Sequence, residues 1–202
     1  MPTTPVLALP YPGLGDPADV PTDMGELATA LDGLIHRVTY STTPPGTPVS
    51  GDEWILVPST TNPSYQWRLR YNSASTSPYK WEFVGGSPLA GRYNANQAAA
   101  SPGVWGGLNP IISIPRAGEY LVSVYLKGTV TAASQLQASF TQGASPADWW
   151  GAVQASVGDS GMSGVNVFQT LTAGNLSAMG WTNTTGTTWK MAVLSVIPAR
   201  IS

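Results

Sequence analysis

The chain has 202 residues, a formal net charge of −2, no cysteine, and only 10% charged side chains, far below the roughly 25% usual for a soluble domain. A nucleic-acid binder needs a basic footprint, which this balance lacks. Without cysteine there is no disulfide scaffold, no thiol chemistry and no Cys-ligated metal. A surface so poor in charge suits a protein that buries much of it against copies of itself.

Residues 1–21 carry Pro2, Pro5, Pro10, Pro12, Pro17 and Pro21. Proline at this density favours extended, polyproline-like chain over helix or central strand. Leu7, Leu9, Tyr11 and Leu14 are too apolar for a solvated linker, so the segment reads as an arm that attaches to another surface. Its start, MPTTPVLALP, has no basic n-region, and proline breaks its apolar run, which is not the pattern of a secretory signal. No stretch approaches 18 uninterrupted apolar residues, so membrane insertion is not expected.

Residues 22–38 (TDMGELATALDGLIHRV) place Met24, Leu27, Leu31, Leu34 and Val38 three, four, three and four apart, the a/d seam of a coiled coil. Thr22 or Asp23 is the expected cap, with Pro21 just outside and Pro44-Pro45 beyond the end. A seam of barely two heptads is too short to hold alone. It predicts an oligomeric stalk over residues 22–43 that depends on something larger; the alternative is one amphipathic helix packed on its own domain.

The next 43 residues, 44–86, read as a small β-meander. Its strands are 53–57, 65–71 and 79–84. Tyr65, Trp67, Leu69 and Tyr71 alternate with Gln66, Arg68 and Arg70, and Tyr79, Trp81 and Phe83 with Lys80 and Glu82. One face is aromatic. On the other, Arg68 and Arg70 are expected to pair with Glu53 or Glu82 across strands. Gly85-Gly86-Ser87-Pro88 marks a boundary. Beyond it, residues 87–202 carry strands at 111–114, 119–127, 135–140, 152–157, 165–171, 176–182 and 187–197, joined by Gly/Ser/Thr loops. Strands at that spacing predict a β-sandwich, jelly-roll-like. Several are apolar on both faces. One face fills the sandwich, and the other is free for an intersubunit interface. The fold class expected is therefore mainly β: a short trimeric coiled-coil helix, a small meander and a C-terminal sandwich.

Three stretches stand in one order: LPYPGLGDPADVPTDMGELATALD at 9–32, the pair YQWRLRYN and YKWEFVGG within 65–86, and a β-region with IPRAGEYLVSVYLKG at 114–128 that closes with VLSVIPARIS. Together they resemble tail-fibre-like or minor tail proteins of tailed bacteriophages, especially those of actinobacteria. The third stretch is also similar to trimeric jelly rolls of the TNF/C1q type, where an AGxY turn leads into a core strand. The resemblance implies a homotrimeric virion fibre. Its partners would be its own copies and, through the N-terminal arm, other virion proteins, with the C-terminal β-region turned to the host surface. A head fibre or capsid decoration, or a non-viral oligomeric carbohydrate-binding module, stays open as an alternative.

Catalysis has little to use. His36 is the only histidine, and the pattern puts it in the helix, away from any β-domain pocket. Zinc lacks its usual ligands, no Gly-rich loop follows a strand into a helix, and no cofactor is implied. Binding is the stronger alternative. Asp148, Trp149 and Trp150 stand together in a Gly/Pro-rich stretch, where tryptophan faces could stack on sugar rings of a host cell-surface glycan. The simpler reading is that one or both tryptophans plug the sandwich end or the subunit contact.

Overall fold

The computed structural model describes residues 3–4, 8–11, 13, 19–143, 145–147, 151–158 and 160–202. The chain is mainly β, with one short helix and two sheets.

Helix α1 (Val20–Leu34) starts earlier and stops earlier than its apolar spacing predicts. Asp19, not Thr22 or Asp23, is the cap: its carboxylate accepts from the Thr22 amide at 3.3 Å and the Thr22 hydroxyl at 2.8 Å. Pro21 lies inside the first turn, where a missing N–H costs nothing. The helix ends at Leu34 with Ile35 extended, so His36 lies outside it. Val38, expected to close the seam, opens strand β1 (Val38–Ser41) instead. The reason is a pairing that the sequence pattern conceals. β1 runs parallel to β2 (Glu53–Leu56), and the Glu53 amide donates to the Arg37 carbonyl at 2.8 Å.

β2 pairs with β3 (Trp67–Tyr71), and β3 with β4 (Trp81–Gly86), both antiparallel. Trp54, Trp67, Leu69 and Trp81 are buried, which is the aromatic face read from the alternation. Their rings meet edge-on, Trp54 and Trp81 at 5.5 Å. The Gly85-Gly86 pair lies within β4, opposite Arg68 and Trp67 of β3, and the start of β4 pairs with β13 (Thr188–Ile201), where Ile201 faces Trp81 and Arg200 faces Glu82.

The remaining strands are β5 (Leu89–Tyr93), β6 (Gln97–Ala98), β7 (Gly106–Ile114), β8 (Gly118–Thr129), β9 (Ser134–Thr141), β10 (Gly151–Ala155), β11 (Ser160–Leu171) and β12 (Gly174–Thr182). The large sheet is nine-stranded, in the order β1-β2-β3-β4-β13-β8-β11, and β5 and β6 also pair with β13. The smaller sheet is β10-β9-β12-β7. β13 is the central element. One edge carries β8 along nearly its whole length, and the other carries β4, β5 and β6 in turn. β5 and β6 were not expected as strands. The segment LAGRY has weak strand character of its own, but it covers an edge of β13 that would otherwise be unpaired. Gly91 within it has no side chain to oppose Pro110 of β7, whose ring would lie 2.6 Å from an added Cβ.

A single hydrophobic cluster joins Trp54, Trp67 and Trp81 to Tyr120, Val122, Val124 and Leu126 of β8, to Ala192, Leu194 and Val196 of β13, and to Ile114, Leu136, Phe140 and Leu176 of the smaller sheet. Tyr120 is the link: its ring lies 6.2 Å from Trp67, and its hydroxyl donates to the Arg116 carbonyl at 2.6 Å. Burial raises the Tyr120 pKa, so the phenol stays protonated.

One strand departs from simple alternation. The spacing puts Trp189 with Met191 and Val193, opposite Ala192 and Leu194. In the structure Trp189 is buried alongside Ala192, Leu194 and Val196. A register shift between Trp189 and Met191 inserts one residue and changes the phase. The indole then seats on Gly180, where an added Cβ would come within 2.6 Å of the ring. A second shift, between Pro198 and Arg200, accommodates a proline that cannot donate to the ladder.

Candidate functional site

The side of the large sheet turned away from the core carries the features that invite a partner. Strand register defines its rows. Phe168, Leu121 and Ile197 lie side by side across β11, β8 and β13, as do Asn166, Ser123 and Ser195. Tyr125 and Val193 share the next row with Arg92 of β5, and Met162, Lys127 and Met191 form the last. The intervening residues of β8 and β13 are fully buried, so these rows are the outer face. It is unusually apolar for an exposed surface: Phe168 is 68% exposed, Met162 56% and Tyr125 39%. Exposed apolar area of this kind marks an interaction surface more often than a solvated one.

At the meander end the face changes character. One row crosses five strands, β2 to β4, β13 and β8, with alternating charge: Glu53, Arg70, Glu82, Arg200 and Glu119, each opposite the next. Arg200 bridges Glu119 at 3.0 Å and Glu82 at 3.5 Å. Glu53 accepts from Arg68 at 2.7 Å and Arg70 at 3.2 Å, the cross-strand pairing expected from the alternation. Hydrogen bonds from Arg68 lower the Glu53 pKa against the opposing effect of burial. Ser77 donates to Glu119 at 2.9 Å, and Asn72 to Glu82 at 3.1 Å. Glu82, Glu119, Phe168, Gln169, Thr170 and Arg200 line a cleft of about 570 Å³. A neighbouring cleft of about 380 Å³ shares Gln169 and Thr170 and continues to Gln142 and Ser145.

One buried carboxylate ties the segment between α1 and β1 to this sheet. Asp52 is 1% exposed. It accepts from the Arg37 amide at 2.9 Å, the Arg37 guanidinium at 2.8 Å and the Val49 amide at 3.1 Å. Burial alone would raise its pKa. The hydrogen bonds from Arg37 and Val49 outweigh that and hold it below the usual carboxylate range.

Of the seam residues, Met24 is 66% exposed, Leu31 is exposed, Leu27 is partly buried and Leu34 ends the helix. Met24 and Leu27 line an apolar slot with Val20 and with Pro10 and Tyr11 of the arm. Val38 is exposed on β1. Leu9 is partly buried and its amide donates to the Thr4 hydroxyl at 3.0 Å; Tyr11 is exposed. Leu7, Leu14, Asp148, Trp149 and Trp150 lie outside the described residues. All five acids of residues 1–36, Asp16, Asp19, Asp23, Glu26 and Asp32, stand in a segment with no lysine or arginine.

The Glu82–Arg200–Glu119 cleft was not found by sequence reasoning. Its partners are 118 and 81 residues apart, and the only local signal was the outward Glu82 of YKWEFV. Among the described residues, no group of three or more His, Asp or Glu could hold a metal ion, and no helix is long and apolar enough to cross a membrane.

No family model matches the chain, and no curated protein sequence matches it. Among solved structures it is similar to infectious bursal disease virus, Gx strain, with a TM-score of 0.38 and 12% identity over 66% of this chain and 42% of that one. It is also similar to the VP2 subviral particle of infectious bursal disease virus, with a TM-score of 0.36 and 11% identity over 65% of this chain and 39% of that one. The chain spans less than half the length of these structures. At that TM-score and identity the similarity assigns neither fold nor function to this chain.

Proposed function

We propose that this chain is a non-enzymatic structural protein of a virion: a homotrimeric fibre or minor tail protein, anchored by its N-terminal arm, that presents its β-body to the host surface. The observation that carries the reading is the apolar outer face of the large sheet around Tyr125, Met162, Met191 and Val193, two rows and more along the strands from Phe168. A face of this composition exposed on a monomer invites aggregation, and closed symmetry around an axis buries it in every copy. The strand order also supports it: β5-β13-β8-β11 over β7-β12-β9-β10 is the order a jelly roll would have, with β9 and β10 paired in one sheet and the other successive strands from β7 to β13 crossing between the two. The helix supports it as well. Met24 and Leu31 are exposed on a single chain, as the seam of a short stalk would be before its copies meet. The acidic, cation-free segment 1–36 suits attachment to a basic surface elsewhere in the particle.

Sedimentation equilibrium of the purified chain tests this directly. The expected result is three copies per particle, with Tyr125→Glu shifting the population to monomer. A stable monomer at micromolar concentration overturns the assembly and the fibre with it.

A further inference from the structure

We infer that the cleft between Glu82, Glu119, Arg200, Phe168 and Thr170 is a binding site for a neutral pyranose saccharide. The inference deepens the host-surface part of the reading above, and it rests on groups that one chain supplies. Glu82, Arg200 and Glu119 sit on neighbouring strands, about 4.8 Å apart, so acceptor, donor and acceptor follow one another along the cleft floor. Equatorial hydroxyls on alternate carbons of a pyranose ring offer donors and acceptors at a comparable spacing. The ion pairs at 3.0 and 3.5 Å, with Ser77 and Asn72 behind the two carboxylates, hold these groups in place before a ligand arrives, which cuts the ordering cost of binding.

Phe168 supplies the other half of sugar recognition. Its ring borders the cleft while 68% exposed, so an apolar face is available beside a polar floor. The C–H face of a pyranose ring is the complement of such a surface, and aromatic contact of this sort contributes at low entropic cost. The volume, about 570 Å³, lies in the range of small-molecule sites. The adjoining cleft across Gln169 and Thr170 extends the groove around edge strand β11, giving room for a second ring. Charge selects among saccharides. Two carboxylates face one guanidinium, so phosphorylated or acidic sugars are disfavoured and uncharged ones fit.

Saturation-transfer NMR on the intact chain tests this, with maltose and lactose as neutral probes and glucose 1-phosphate as the anionic comparison. At least one neutral disaccharide should receive saturation, and glucose 1-phosphate should receive none. Phe168→Ala should weaken that binding at least about tenfold, which corresponds to about 1.4 kcal/mol. If Phe168→Ala lowers the melting temperature, Thr170→Ala, at an exposed position, replaces it and should weaken binding several-fold. No transfer to either disaccharide overturns the site. So does equal transfer to the phosphate ester, or unchanged binding in the variant. Sedimentation of the same samples separates the two readings: a monomer that binds sugar removes the trimer and keeps the site, and a trimer that binds none does the reverse.

Discussion

Asp52 holds the segment between α1 and β1 to the sheet, and its removal has a calculable consequence. The carboxylate is nearly sealed from solvent and accepts from two backbone amides and one guanidinium. Asp52→Ala leaves the Arg37 and Val49 amides without that acceptor. A fully buried donor without a partner costs about 1–3 kcal/mol; these two amides are only partly buried, so together they should cost about 1–3 kcal/mol in denaturant unfolding. Arg37→Ala is a different perturbation. Its side chain is 54% exposed, and the residue-37 amide still reaches Asp52. The loss there is that of a surface ion pair, about 0–1 kcal/mol. Hydrogen exchange gives the local view: the amides of residues 37 and 49 should lose protection in Asp52→Ala and keep it in Arg37→Ala. If both variants lose the same stability, or Asp52→Ala stays within about 0.5 kcal/mol of the parent, the tie is not where the structure puts it.

The remaining expectations follow from the same features. Asp52 and Glu53 both titrate below their ordinary values. Their contribution is therefore fully present above the unfolded-state pKa near 4 and is lost as pH falls through the depressed folded-state values; Glu53→Gln should flatten that acid limb in thermal melts recorded from pH 7 to 2, and an unchanged limb refutes the assignment. Trp189→Ala removes a fully buried indole that packs on Gly180 and should cost about 3–5 kcal/mol by denaturant unfolding; a loss under 1 kcal/mol would mean the site collapses around the deletion. Tyr125→Glu should separate the copies while the isolated chain keeps its circular dichroism spectrum, because the change puts a charge into the proposed interface and not into the core. Deleting residues 1–20 should leave the oligomer intact and prevent incorporation into particles; normal incorporation would move attachment to the β-body.

Much of this molecule is local chemistry and can be read without coordinates. The alternation in YQWRLRY and YKWEFV names which aromatics are buried, because side chains on a strand alternate strictly and only one face meets the core. The same rule puts Tyr120, Val122, Val124 and Leu126 on one face of β8, but with apolar residues on both faces only the fold makes that face the inner one. The rule also sets Arg68 and Arg70 against Glu53 or Glu82, and the fold pairs both with Glu53. Where the rule fails it fails for a reason: one inserted residue before Met191 reverses the phase of Trp189, and nothing in TWKMAVL announces a bulge. Helix and strand compete over 35–38 on similar terms. The apolar spacing continues the helix to Val38, but the parallel partner Glu53–Leu56 and the buried Asp52 pull the chain into β1, and that partner lies 15 residues on. The charged cleft belongs wholly to the tertiary fold. Glu82, Glu119 and Arg200 come from three strands far apart in the chain, and each alone is an ordinary outward-facing residue. They become a row only because β13 pairs with β4 on one edge and β8 on the other, a choice made by the burial of the whole sheet and by no residue within it.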